Sequence, residues 1–147
     1  PQKSRSKKET PVVAKTSPSP TMPNPNSWVW PARGKLISGF KSNRGLNKGI
    51  DIRGNLRDSV IAAAAGKVVY SGEGLRGYGK LVIVKHSDKY LSAYAHNHRI
   101  LVDEGASVKQ GQKIAEMGST GTDSVKLHFE IRYDGKPIDP LKYLPKR

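Results

Sequence analysis

The sequence predicts an all-β domain, built as an antiparallel sheet and preceded by a disordered tail, and three observations carry that prediction. Beyond Pro31, short apolar runs alternate with Gly pairs and polar turns, as strands and hairpins require. Segments with helical hydrophobic period are nearly absent there. All 15 glycines lie at or after Gly34, whereas six of the ten prolines precede Ser27, so the two parts of the chain follow different compositional rules.

Residues 1–26 mix Lys, Ser, Thr and Pro with too few large apolar side chains to offset backbone ordering, and read as a disordered linker. No charged-then-apolar signal segment opens them. A linker in this position is expected of the C-terminal piece of a longer protein. Residues 27–147 form the domain, about 120 residues, enough for one core. Within it the expected strands are 35–40, 60–63, 67–71, 80–86, 90–95, 113–117 and 125–133, with turns over 72–79, 87–89 and 118–123. Asp139 before Pro140 predicts a capped terminal turn over 139–144.

The strand over 125–133 alternates without a break. Val125, Leu127, Phe129, Ile131 and Tyr133 share one face, and Lys126, His128, Glu130 and Arg132 the other. The second face is a row of reactive side chains.

Composition removes several classes of function. The absence of Cys excludes disulfides, thiol catalysis and thiolate zinc sites. No run approaches the 18 or so apolar residues of a membrane span. The net charge of +14 divides into +4 before Pro31 and +10 after it, so the domain itself is basic and suited to anionic company. Nucleic acid is not the expected partner, because no stacked-aromatic module accompanies the charge. Gly72-x-Gly74-x-x-Gly77 matches a dinucleotide fingerprint by letter, but a strand follows it where a helix is needed. Val108 to Ile114 is similar to the hairpins of biotin or lipoyl carriers, without the Met-Lys-Met turn that receives the cofactor.

Four histidines occur. His86 and His98 flank turns and are expected at the surface. Asp51, His96 at the end of Tyr94-Ala95-His96, and His128 on the polar row are the residue types of a hydrolytic zinc centre.

From Gly34 to Leu144 the chain resembles the LytM or lysostaphin-type zinc endopeptidase domains that cut peptidoglycan cross-links. The matching segments are Asn47-Lys48-Gly49-Ile50-Asp51, Gly77-Tyr78-Gly79, Tyr94-Ala95-His96, Val108-Lys109-Gln110-Gly111-Gln112 and Leu127-His128-Phe129-Glu130-Ile131-Arg132. The resemblance implies a barrel-sandwich (duplicated hybrid motif) form of the sheet. It places Asp51 and His128 at metal-ligand positions and His96 at that of a catalytic histidine.

Two positions depart from that pattern. Asn47 stands where a ligand histidine belongs, and Lys126 stands where the late His-x-His pair begins. An amide is a poor zinc ligand, and an open catalytic site wants three good ones. A dication and an ammonium about 5 Å apart repel by roughly 6–7 kcal/mol at an effective dielectric near 20. Against about 10–16 kcal/mol for a whole peptide zinc site, that is a large fraction. The expectation is therefore a vestigial site of Asn47, Asp51, His96, Lys126 and His128, with no catalytic residue, no metal and no cofactor. Asp51 and His128 are then kept either as residual ligands or as a buried hydrogen-bonded pair.

This pattern of substitution resembles a subgroup of murein hydrolase activators of Gram-negative bacteria. What it implies is a non-catalytic activator of periplasmic N-acetylmuramoyl-L-alanine amidases that promotes septal peptidoglycan hydrolysis and daughter-cell separation. Peptidoglycan is a further expected contact. The implied location is the periplasm, tethered to the outer membrane by a lipid anchor upstream of this chain. Lys48, Asp51, Tyr78, His96, Lys126, His128 and Arg132 are the expected partner-binding residues. The alternative is a working zinc-dependent endopeptidase.

Overall fold

A computed structural model describes residues 28–147; the expected linker over residues 1–26 lies outside the described residues. Ten strands follow in order: β1 Lys35–Ser38, β2 Ile50–Arg53, β3 Ser59–Ile61, β4 Gly66–Gly72, β5 Lys80–Lys85, β6 Tyr90–Ile100, β7 Ser107–Val108, β8 Lys113–Met117, β9 Lys126–Tyr133 and β10 Lys136–Ile138. Pro140–Lys142 form the terminal 3-10 turn, capped by the Asp139 carboxylate on the Leu141 N–H as the sequence predicts. All pairings are antiparallel, in the order β1-β2-β9-β6-β5-β4-β7, with β10 on β9 and a β3–β8 ribbon joined to β6. β1 and β7 end the main path, so the sheet stays open.

The strand over 125–133 behaves as its alternation requires. Leu127, Phe129 and Ile131 are fully buried in a core that also holds Trp28, Ile50, Ile52, Tyr94, Ile114 and Met117. Each such side chain contributes about 1.5–3 kcal/mol by leaving water. Tyr133, expected on the same face, is 40% exposed at the strand's end. There Asp134 and Gly135, both left-handed, turn the chain into β10.

β6 is longer than its pattern indicates. Tyr90 to Ala95 pair with β9, and Asn97 to Ile100 pair with β8. Between them His96 takes a left-handed φ of 67°, which lets one strand change partners. Asn97, fully buried, donates its Nδ2 to the Lys80 and Tyr94 carbonyls at 3.0 and 2.8 Å, which the kink would otherwise leave unpaired.

His86 corrects an expectation. It is 1% exposed, packed edge-on against Trp28 with ring centroids 5.0 Å apart. Its Nδ1 donates to the Ala65 carbonyl and its Nε2 meets Ser92 Oγ, each at 2.7 Å. Ser92 in turn meets the Tyr94 hydroxyl, which accepts from the Ala63 N–H. A buried ring is cheap only when both nitrogens are satisfied, and this relay satisfies them. His98 is half-buried.

Candidate functional site

Register brings the sequence-predicted residues together. Asp51 of β2 lies opposite His128 of β9, and His128 lies opposite Ala95, the residue before His96. Because Ile50 and Ile52 point into the core, Asp51 points to the other face, as do Lys126, His128 and Glu130. That face is the floor of a cleft of about 520 Å3. One wall is the loop before β2, contributing Ser42, Leu46, Asn47 and Lys48, and the other is the β4–β5 loop, contributing Arg76, Gly77 and Tyr78.

Two glycines let these parts meet. A Cβ on Gly49 would stand 2.1 Å from the Phe129 carbonyl oxygen and 2.9 Å from Glu130 Cγ. Gly79 has a φ of +61°, and a Cβ there would stand 2.2 Å from the Thr120 carbonyl oxygen. Only glycine permits both approaches.

The floor is a ladder of alternating charge. Lys126 Nζ lies 3.7 Å from Asp51 Oδ2. Asp51 Oδ1 faces His128 Nδ1 at 2.7 Å, and His128 Nε2 faces Glu130 Oε2 at 2.8 Å. Arg132 Nε and Nη2 both reach Glu130 Oε1 at 2.8 Å. The Tyr78 hydroxyl donates to Glu130 Oε2 at 2.9 Å and accepts from Arg132 at 3.3 Å. Both nitrogens of His128 thus meet carboxylate oxygens, and only the imidazolium can donate twice. Burial disfavours that charge, yet the hydrogen bonds and charges of Asp51 and Glu130 outweigh it and raise the His128 pKa to about 9. Burial likewise pushes the two carboxyl groups up, but His128 and the flanking cations hold both below their ordinary values.

His96 is poised differently. Its Nδ1 lies 2.7 Å from the Thr120 carbonyl and must carry the proton to bond there, which leaves the Nε2 lone pair free. Burial, joined by the charges of His128 and Lys126, lowers its pKa and keeps the ring neutral. The two imidazole centroids are 6.1 Å apart.

Asn47 is turned away from this chemistry. Its Oδ1 accepts from the Gly49 N–H at 3.0 Å and its Nδ2 donates to Ser42 Oγ at 3.3 Å, bracing the loop. Arg132, expected on the docking surface, is bound to Glu130 and Tyr78 and does not line the cleft. Lys48 and Tyr78 do. Glu130, noted in the sequence only as one of a polar row, is 1% exposed and organises the ladder. Its alternation with core residues was visible, but its burial depends on Tyr78 arriving from a distant loop. Arg76 and Leu46 are not among the expected partner-binding residues, since nothing in a loop sequence shows which side chains overhang a cleft.

Zinc, which the fold family implies, does not suit this donor set. A ligating histidine must present a lone pair, and both nitrogens of His128 are committed to carboxylates. The Asn47 oxygen is held by backbone, and the Lys126 ammonium sits on the free oxygen of Asp51. Among the described residues no group of three or more His, Asp or Glu side chains is arranged to hold a metal.

With fold and site in view, similarity defines the class: residues 45–140 match Peptidase family M23, and the chain belongs to that family. The chain is 63% identical over 138 residues to the lipoprotein NlpD/LppB homolog of Pseudomonas aeruginosa, covering 94% of this chain and 44% of that protein. It is 60% identical over 122 residues to the murein hydrolase activator NlpD of Escherichia coli, covering 83% of this chain and 32% of that protein. The chain thus spans less than half the length of these curated relatives. Among solved structures, a putative peptidase M23 from Pseudomonas aeruginosa superposes with a TM-score of 0.75 at 28% identity, covering 85% of this chain and 53% of that one. A zinc containing peptidase from Vibrio cholerae gives 0.72 at 30% identity, covering 86% and 41%.

Proposed function

We propose that this domain is a non-catalytic activator of N-acetylmuramoyl-L-alanine amidases, acting in the periplasm on septal peptidoglycan hydrolysis. The observation that supports the reading is the Lys126–Asp51–His128–Glu130 ladder, in which ion pairs engage Asp51 and His128, the two residues that the resemblance puts at metal-ligand positions. The name murein hydrolase activator, borne by relatives such as that of Escherichia coli, supports it. Names of relatives that include lipoprotein support tethering to the outer membrane through sequence upstream of this chain.

The mechanism follows from differential affinity. An amidase blocked by a segment over its own active site opens to the extent that the activator binds the open form better. Moving it from mostly closed to mostly open takes about 5.5 kcal/mol. The cleft offers Lys48, Arg76 and the exposed Leu46 on its walls, a combination suited to an amphipathic segment. Peptidoglycan is a second contact of the same basic surface.

The test mixes the purified chain with an autoinhibited amidase and follows dye release from labelled sacculi. Release that rises with the chain, and no release from the chain alone, is expected. Stoichiometric zinc in the purified chain, together with cleavage of peptide cross-links, would establish the endopeptidase alternative instead.

A further inference from the structure

The register that builds the cleft floor also lines up cations beside it. Lys35 of β1 lies opposite Arg53 of β2, and Arg53 lies opposite Lys126 of β9. Directly opposed residues share a face, with Cβ atoms about 4.5–5.5 Å apart. That face is the cleft face, because Arg53 follows Asp51 by two residues and Lys126 precedes His128 by two.

The three cations are not equivalent. Lys126 is engaged by Asp51. Lys35 and Arg53 are exposed, and among the described residues no carboxylate lies within 4.0 Å of either. Like charges directly opposite destabilise a sheet. A lysine on an outer strand guards an edge against unwanted pairing, which accounts for Lys35. It does not account for Arg53, whose strand is paired on both sides by β1 and β9. The two floor carboxylates of the cleft, Asp51 and Glu130, are already matched by His128, Lys126 and Arg132. The surplus is therefore positive and runs outward from the floor across β2 to β1.

We propose that Lys35 and Arg53 form an electrostatic docking strip for an acidic segment of the hydrolase whose other part occupies the cleft. This rests on the activator reading. Charge complementarity sets the occupant's chemistry: two unmatched cations whose Cβ atoms stand about 5 Å apart suit carboxylates of similar spacing, as at i and i+4 of a helix, where Cβ atoms are about 5–6 Å apart. Charges on a rim act chiefly on the rate of association and on its salt dependence.

The experiment titrates wild-type chain and K35E/R53E against the autoinhibited amidase at about 50 and about 300 mM NaCl, with dye release as the readout; screening shortens the reach of exposed charges over that range. At low salt the double variant is expected to need about tenfold or more chain for half-maximal activation, with the same plateau, and the gap should close at high salt. K35Q/R53Q, which keeps side-chain bulk, should fall between the two and serves if the reversed variant melts early. Equal half-activating concentrations for wild type and both variants at low salt overturn the strip. So does a variant that loses co-sedimentation with sacculi while activating normally, which reassigns the cations to wall polymer. A wild-type chain that never activates overturns the activator reading itself.

Discussion

The Lys126 ammonium lies 3.7 Å from Asp51 Oδ2, the oxygen that His128 leaves free. Strand alternation puts this cation on the face of His128, where it would repel a bound dication. Its side chain is 20% exposed and is the terminal rung of a paired array. With an imidazolium on one oxygen and an ammonium by the other, Asp51 is neutralised from two sides.

Replacing Lys126 by Met removes one partner of a mostly buried ion pair while keeping the stem. A loss of about 1–2 kcal/mol is expected, since His128 still holds Asp51. Thermal melting, expected to fall by several degrees, checks it. An unchanged or raised melting temperature would show the pair to be without structural weight.

Glu130 carries more. Glu130→Gln strips the negative charge between His128 and Arg132 at a fully buried position, and a loss of about 3–5 kcal/mol is expected. Tyr78→Phe removes one hydroxyl from the same group and should cost about 1 kcal/mol. Denaturant unfolding of the two variants ranks them; equal losses would contradict the central place given to Glu130.

The ladder makes stability depend on pH in a defined direction. The folded pKa of His128, about 9, stands above its ordinary 6.5, so its contribution is complete below 6.5 and is lost as pH rises from there through 9. That loss is on the order of 3 kcal/mol. His86 has the opposite sign: burial lowers its pKa, so its contribution is present above 6.5 and is lost as pH falls below that value. Asp51 and Glu130 add a further loss in stronger acid, below their ordinary carboxyl values. Calorimetric melting across pH should fall on both sides of a maximum near pH 6–7. A melting temperature that holds steady from pH 7 to 9.5 would remove the imidazolium from the account.

Restoring two histidines tests the fit to zinc. Lys126→His alone removes the ammonium from Asp51 but leaves Asn47 bracing its loop, whereas Asn47→His with Lys126→His also restores the missing ligand histidine and completes the His-x-His pair. The double variant is expected to retain zinc after dialysis and to melt higher with it, and the wild type to do neither. Elemental analysis and melting with and without chelator read both effects.

Much of the fold was legible because strand pairing follows hydrophobic alternation. Leu127, Phe129 and Ile131 announced their face, and seven of the ten strands lay where apolar runs predicted them. β2 was visible only as part of a motif, and β7 and β10, two and three residues long, offer too little pattern to read. The continuation of β6 past His96 was hidden because Asn97 and His98 look like a loop; the left-handed turn at His96 is what keeps them in the sheet. At the site, Asp51, His96 and His128 were found by residue type and resemblance. The sequence could not show that His86 is core, because its neighbour Trp28 is distant in the chain.

Trp28 anchors the first described residue of the chain well away from the cleft. Its indole is sunk among His86, Tyr90 and Tyr143, at the start of β6, while His96 stands six residues along the same strand, roughly 20 Å away at about 3.3 Å per residue. Force applied to the chain ahead of Trp28 would therefore meet that aromatic plug before it reached the cleft floor.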